Sequence, residues 1–342
     1  MKLNKSESRP HDVTHEGSPA APITDEQALR RSVMSCLLWE SEFYEDGEET
    51  AARILRLASK LPAAIVAAMA IETREVGNLR HVPLILLSAL ARSGKSDVIV
   101  ADTIARVVQR ADELSELLAI HAKVNGVTPE KVKSKISAQM KKGLARAFQK
   151  FNEYALAKYD RAGPIRLRDV LFLVHAKPKD AEQEELWARL VRNELKVPDT
   201  WEVQLSGGAD KKETFERLIR EGKLGYLALL RNLRNMAAAG CDADVVKAVI
   251  VARGSGAQRV FPFRYIAAAR AAPQYESVID QALSEAIAEL PILAGKTVVL
   301  VDVSGSMDSQ LSGKSDLKRV DAAAALGAIW PGDVRLFTFS NE

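Results

Sequence analysis

From about Thr24 to about Leu293, apolar residues recur with helical spacing. The pattern is interrupted at turn-forming residues, among them Gly47, Pro62, Gly77-Asn78, Asn125-Gly126, Gly163-Pro164, Pro178, Pro198, Gly207-Gly208, Gly222, Gly240 and Pro273. Two stretches, Leu61 to Ile71 and Leu224 to Leu233, are apolar nearly all round, so each is expected to be a helix sandwiched between neighbours. Helix pairs recurring about every 40 residues fit a stacked solenoid of the HEAT kind. A globular helical bundle is the alternative, because no repeating signature accompanies the spacing. The texture changes at Gly295. Thr297 to Val301 is a β-branched run expected to form a buried parallel strand, Val320 to Ile329 an alanine-rich helix, and Val334 to Phe339 a second strand. The reading is mainly α, followed by the start of a doubly wound α/β domain. It divides the chain into a polar, flexible arm at residues 1–23, a helical domain at 24–293 and an α/β segment at 294–342.

Composition sets limits on this picture. The chain has 342 residues, 47% hydrophobic and 27% charged, which suits two globular domains. Cys36 and Cys241 lie far apart on helical segments, where core packing in a reducing compartment is expected and a disulfide framework is not. The N-terminal stretch has no apolar core of a signal peptide, and no run reaches the ~20 apolar residues of a membrane span. A cytoplasmic monomer with no membrane association is therefore expected.

The net charge of +3 conceals a strong asymmetry. Between Lys131 and Arg168 eleven basic residues face only Glu153 and Asp160, a local charge of +9 that leaves −6 for the remainder. At 100° per residue, Ile136, Met140, Leu144, Ala147, Phe148, Phe151 and Ala155 share one face of this segment, and Lys131, Lys135, Lys142, Arg146 and Lys150 lie opposite. Such a ridge suits a phosphate backbone, where neutralised phosphates release counterions. A solvated lysine face is the bland alternative, weakened by the scarcity of acidic residues to form i,i+4 pairs. A membrane-surface helix is weaker again, since the apolar face is needed for packing and lacks tryptophan.

After the first expected strand stands Asp302-Val303-Ser304-Gly305-Ser306-Met307, an Asp-x-Ser-x-Ser pattern where doubly wound sheets place ligands. One carboxylate and two hydroxyls are hard oxygen donors suited to Mg²⁺ or Mn²⁺. With two neutral donors the cation would stay electron-poor and able to accept a partner's carboxylate or phosphate. A serine-rich turn capping the following helix is the alternative.

Together, Lys142 to Phe148, Arg168 to Pro178, Ala228 to Met236, Phe261-Pro262-Phe263-Arg264 and the Asp302 loop resemble, in this order, the TROVE module of the Ro ribonucleoproteins. The loop itself resembles the metal-ion-dependent adhesion site of von Willebrand A domains. The resemblance spans about residues 24 to 342 and is strongest after Lys131. It implies a ring of HEAT-like helices closed by a von Willebrand A domain. It also implies binding of small structured Y-like RNAs on the outer basic surface and of single-stranded 3′ ends of misfolded RNAs in the hole, in RNA quality control or repair. Bacterial relatives of the family work with exoribonucleases. Carried over to this sequence, the RNA contacts would be Lys142, Arg146, Lys150, Lys158, Arg161, Arg168 and His175, with Arg231, Arg234 and Arg264 lining the hole. His175 reads equally as a packing residue. Asp302, Ser304 and Ser306 would be the metal ligands. The family also draws a threonine and an aspartate from later loops, and this sequence ends at Glu342, so the site is expected to be incomplete.

No catalytic constellation accompanies these motifs. Ser93-Gly94-Lys95-Ser96 and Gly313-Lys314-Ser315 resemble the tail of a phosphate-binding loop, but Ala89 and Asp308 stand where its first glycine belongs. The histidines show no metal spacing, and no nucleophile has a neighbouring base. Non-catalytic RNA binding is the leading expectation, a metal-dependent protein-interaction scaffold the second, and a metal-dependent nuclease the third.

Overall fold

The computed structural model describes residues 22–35, 47–93, 97–254, 256–292, 294–311 and 316–340. Nearly all of the expected arm, Cys36, and the loops at 94–96 and 313–315 lie outside the described residues.

The chain forms two compact units, one running to Pro198 and the other from Asp199. The first contains α1 (Asp25–Met34), α2 (Gly47–Ala58), α3 (Ala63–Glu75), α4 (His81–Ser93), α5 (Val98–Val107), α6 (Asp112–Val124), α7 (Ala138–Phe148), α8 (Glu153–Tyr159), α9 (Leu167–Val174) and α10 (Ala181–Arg192). A 3₁₀ segment, Pro129–Lys135, leads into α7. Boundaries follow local chemistry. Thr24 and Gln27 close a capping box on α1, and the side chains of Asp97, Ser137, Asn152 and Asp180 accept backbone N–H groups at the starts of α5, α7, α8 and α10. Helices next but one to each other pack together, α1 on α3, α3 on α5, α5 on α7 and α7 on α9, while α2 meets α4 and α4 meets α6. This two-row stacking accounts for α4: packed against α2, α3, α5 and α6, it buries every residue from Val82 to Ala91.

The segment from Lys131 to Arg161 is not one helix. It is divided into the 3₁₀ segment, α7 and α8, because Ser137 and Asn152 each restart a helix as its N-cap. The expected apolar face survives: Met140, Leu144, Ala147, Phe148 and Phe151 are buried, and Ile136 and Ala155 pack against the same core. Gly143 brings α7 close to α5, since an added Cβ would stand 2.8 Å from the Ala101 carbonyl oxygen.

The second unit contains α11 (Trp201–Ser206), α12 (Lys211–Arg220), α13 (Tyr226–Ala238), α14 (Ala243–Ala252), α15 (Pro262–Ala271), α16 (Glu276–Ala288), β1 (Lys296–Asp302), α17 (Arg319–Ala328) and β2 (Asp333–Phe339). Its helical part repeats the alternate packing, α13 on α15 and α14 on α16. The expected β-loop-α-β unit is present, β1 and β2 pairing in parallel from Lys296 opposite Asp333 to Asp302 opposite Phe339. However, β1 is not the buried strand expected: Val298 and Leu300 are exposed and only Val301 is buried, because α17 covers one face of a two-stranded sheet. Gly327 lets α17 lie against the sheet, where a Cβ would meet Val301 at 2.8 Å and Leu336 at 2.9 Å. The change at residue 294 is thus a change of secondary structure inside the second unit. Arg270 of α15 ties the two parts through a bidentate pair with Asp321 of α17, both bonds 3.0 Å.

Candidate nucleic-acid interface and metal loop

The basic residues of the first unit divide by what they touch. Lys131, Lys133, Lys135, Lys142 and Arg161 are exposed, Lys141 is half-buried, and none pairs with a carboxylate among the described residues. Arg146, expected to be free, pairs with Asp102 of α5. Arg166 pairs with Asp160 at 3.0 Å and also donates to Asn193 Oδ1. Arg168 stands 4.0 Å from its neighbour Asp169.

Lys150 departs furthest from expectation. Its ammonium donates to the Ala105 carbonyl at 2.6 Å and to the Val108 carbonyl, at the C-terminal end of α5. Helix C-termini leave carbonyls unpaired at the negative end of the dipole, so a lysine there serves as a cap. Burial pushes its pKa down, with Glu113 opposing the shift and Arg74 adding to it. Those two residues form the buried polar centre of the unit. Glu113, fully buried, accepts from Arg74 at 2.7 Å and from the backbone N–H groups of Gln109 and Arg110. Arg74 also donates to the carbonyls of Val107 and Leu79. Every polar arm of this pair is matched, as a buried ion pair requires.

Lys158 lies 5.6 Å from the Tyr154 ring centre and 5.7 Å from that of Tyr159, and Arg110 lies 4.5 Å over Tyr159. Tyr154 is exposed. Sequence reasoning did not single out these tyrosines. The Tyr154–Lys158 spacing of four was a readable signal for helical neighbours, whereas Arg110 arrives from α6's approach and carries no local signal. His175 caps α9 in the left-handed region at φ 52°, ψ 45°, and is exposed. A non-glycine residue there is uncommon, with histidine among the more tolerant. In the second unit Arg231 and Arg234 on α13 and Arg264 on α15 are exposed.

The loop after β1 gathers three oxygen-bearing side chains. Asp302 Oδ1 accepts the Ser304 N–H at 2.8 Å, and the Ser304 and Ser306 hydroxyl oxygens stand 3.2 Å apart. Hydrogen bonds from Ser304 hold the Asp302 carboxyl below its usual range. Ser304 begins the 3₁₀ turn Gly305–Asp308 without a side-chain capping bond, so its hydroxyl is not spent on capping. Adjacent ligands of an octahedral Mg²⁺ at about 2.1 Å stand about 3.0 Å apart. The two hydroxyls therefore fit one edge of such a shell, with Asp302 supplying the charge.

Two helical units, the second ending in a parallel β-loop-α-β unit that fits the opening of a von Willebrand A domain, make this a mainly helical protein with an α/β addition. Residues 188–289 match the family model described as TROVE domain. Over 79 residues it is 37% identical to telomerase protein component 1 of Mus musculus and 35% identical to that of Rattus norvegicus. The match takes in 22% of this chain and 3% of each of those relatives, so the chain spans only a small part of their length. Its fold is similar to the crystal structure of the Deinococcus radiodurans RO (RSR) protein, with a TM-score of 0.66 over 93% of this chain and 76% of that one, at 18% identity. No helix among the described residues is long and apolar enough to cross a membrane.

Proposed function

We propose that this chain is a non-catalytic, cytoplasmic RNA-binding protein of the ribonucleoprotein type. It takes small structured, Y-like RNAs on the basic surface of the first unit and single-stranded ends of misfolded RNAs elsewhere, in RNA quality control or repair alongside an exoribonuclease. One observation carries the reading: Lys131, Lys133, Lys135, Lys142 and Arg161 are exposed without carboxylate partners among the described residues, and in the same basic segment Lys158 is set over two tyrosine rings. Unpaired cations of this density attract phosphates, and the tyrosines offer an apolar face beside them. The test is the salt dependence of binding to a structured RNA hairpin by the chain and by Lys142→Glu/Arg161→Glu. Each lost phosphate contact flattens the slope of log K against log salt by about 0.9. Weaker binding with a flatter slope is expected, and an unchanged slope overturns the assignment of this surface.

A second role belongs to the Asp302 loop. Asp302, Ser304 and Ser306 would hold Mg²⁺ or Mn²⁺, which when bound supplies an electron-poor centre for a partner's carboxylate or phosphate. The uncapped, paired hydroxyls support this reading over a capping turn.

A further inference from the structure

The N-terminus of α15 carries an aromatic feature that the basic surface of the first unit does not explain. Phe261 and Phe263 flank Pro262 with ring centres 5.8 Å apart and planes only 11° from parallel. Arg264 lies 4.9 Å over the Phe263 ring. Phe261 is 57% exposed, although large aromatic side chains usually bury most of their surface. Its neighbours are cations. Arg259, Arg264 and, on the packed helix α13, Arg231 are exposed and have no carboxylate partner among the described residues. Partial burial of the guanidinium, and then the like charge of Arg231 on the packed helix, push the Arg264 pKa down.

An exposed ring among uncompensated arginines is poorly suited to an apolar protein partner, which would strip water from the guanidinium groups and return no charge. It is equally poorly suited to a duplex, whose bases are already stacked on each other and offer no free face. A ligand offering flat aromatic faces and regular negative charge satisfies both parts. We propose that Phe261 is a stacking platform for an unpaired base of single-stranded RNA, with Arg264 and Arg231 taking the flanking phosphates. This rests on the RNA-binding reading above and gives it a residue that selects single strands over paired ones. The tier of Phe263 and Arg264 fixes the orientation of the Phe261 ring before the base arrives, so little ordering cost falls on binding.

The experiment uses the full chain and two fluorescein-labelled RNAs, a single strand of about ten uridines and a blunt duplex of about 20 base pairs. Fluorescence anisotropy compares the unaltered protein with Phe261→Leu, which keeps the apolar bulk, and Phe261→Trp, which keeps the aromatic face. Circular dichroism melts verify that each variant is folded. Single-strand affinity is expected to fall about ten-fold in Phe261→Leu and to recover in Phe261→Trp, with duplex affinity changing less than about two-fold. Unchanged single-strand affinity in folded Phe261→Leu overturns the platform and leaves the ring as a surface for a protein. An equal loss on both RNAs overturns its selectivity. If the unaltered chain binds neither RNA, the RNA-binding reading itself fails, and that result is distinct from the other two.

Discussion

Replacing Lys150 by methionine separates two roles for one basic residue. On a ridge of free cations the substitution removes one phosphate contact and leaves stability alone. In the structure the ammonium instead bonds two carbonyls at the C-terminal end of α5. Methionine keeps most of the stem and removes both bonds. Hydrogen bonds to a charged group are worth about 1.5–3 kcal/mol each, but the two share one partly exposed ammonium, so a total near 2 kcal/mol is expected. With a urea dependence of about 2 kcal/mol per molar, the midpoint falls by about 1 M. Urea unfolding followed by circular dichroism measures it. Lys142→Met is the matched comparison: Lys142 is exposed and has no carboxylate partner among the described residues, so its stability change should stay within about 0.5 kcal/mol. Its RNA salt slope should flatten by about one. If Lys150→Met leaves the midpoint unmoved and weakens RNA binding as much as Lys142→Met does, the capping role is wrong.

Gly143→Ala adds a Cβ 2.8 Å from both the Ala101 carbonyl oxygen and Ile104 Cβ. Overpacking of about 1–3 kcal/mol outweighs the helix-propensity gain of about 1, so chemical denaturation should show a less stable protein, and an equal or higher midpoint would sink the close-packing argument. His121 is buried between the Ser88 hydroxyl at 2.9 Å and the Lys135 carbonyl at 3.2 Å, and burial lowers its pKa. The folded protein therefore holds fewer protons than the unfolded chain. Stability should be full above the unfolded pKa of about 6.5 and decline as pH falls toward the lower folded value. His121→Gln should flatten that decline without abolishing it, because burial lowers His81 in the same direction; a curve as steep as that of the unaltered protein would remove His121 from the account. Asp302→Ala should abolish Mn²⁺ binding measured by calorimetry, and Mn²⁺ bound equally by both forms would place the metal elsewhere.

Much of the fold was legible because its determinants are local. The breaks at Pro62, Asn125-Gly126 and Gly163-Pro164 all fall between helices, and the β-branched run at Thr297 to Val301 became β1. The apolar face of α7 was legible from its period. What the period could not show was where Ser137 and Asn152 would restart the helix, since a side-chain cap depends on the geometry of the preceding turn. Nor could it show the partners of Arg146 and Lys150, because Asp102 and Ala105 lie 44 and 45 residues away in sequence and reach α7 only through the packing of α5. The division at Pro198 was marked only as one break among many. Of the metal loop, residue identities and placement after a strand were legible, whereas the uncapped state of Ser304 depends on the geometry of the turn that follows it.

These partnerships change what the charge of the basic segment means. A local +9 suggests that most of its cations can meet phosphate, yet Arg146 and Arg166 are bonded to carboxylates, Lys150 to carbonyls, and Arg168 stands near Asp169. The cations left to a polyanion are Lys131, Lys133, Lys135, Lys141, Lys142, Lys158 and Arg161. At about 0.9 per neutralised phosphate they support a salt slope no steeper than about −6. A measured slope within that bound is consistent with binding on the first unit alone. A steeper one requires cations from elsewhere in the chain, and the unpaired arginines around Phe261 are the nearest to hand in chemistry.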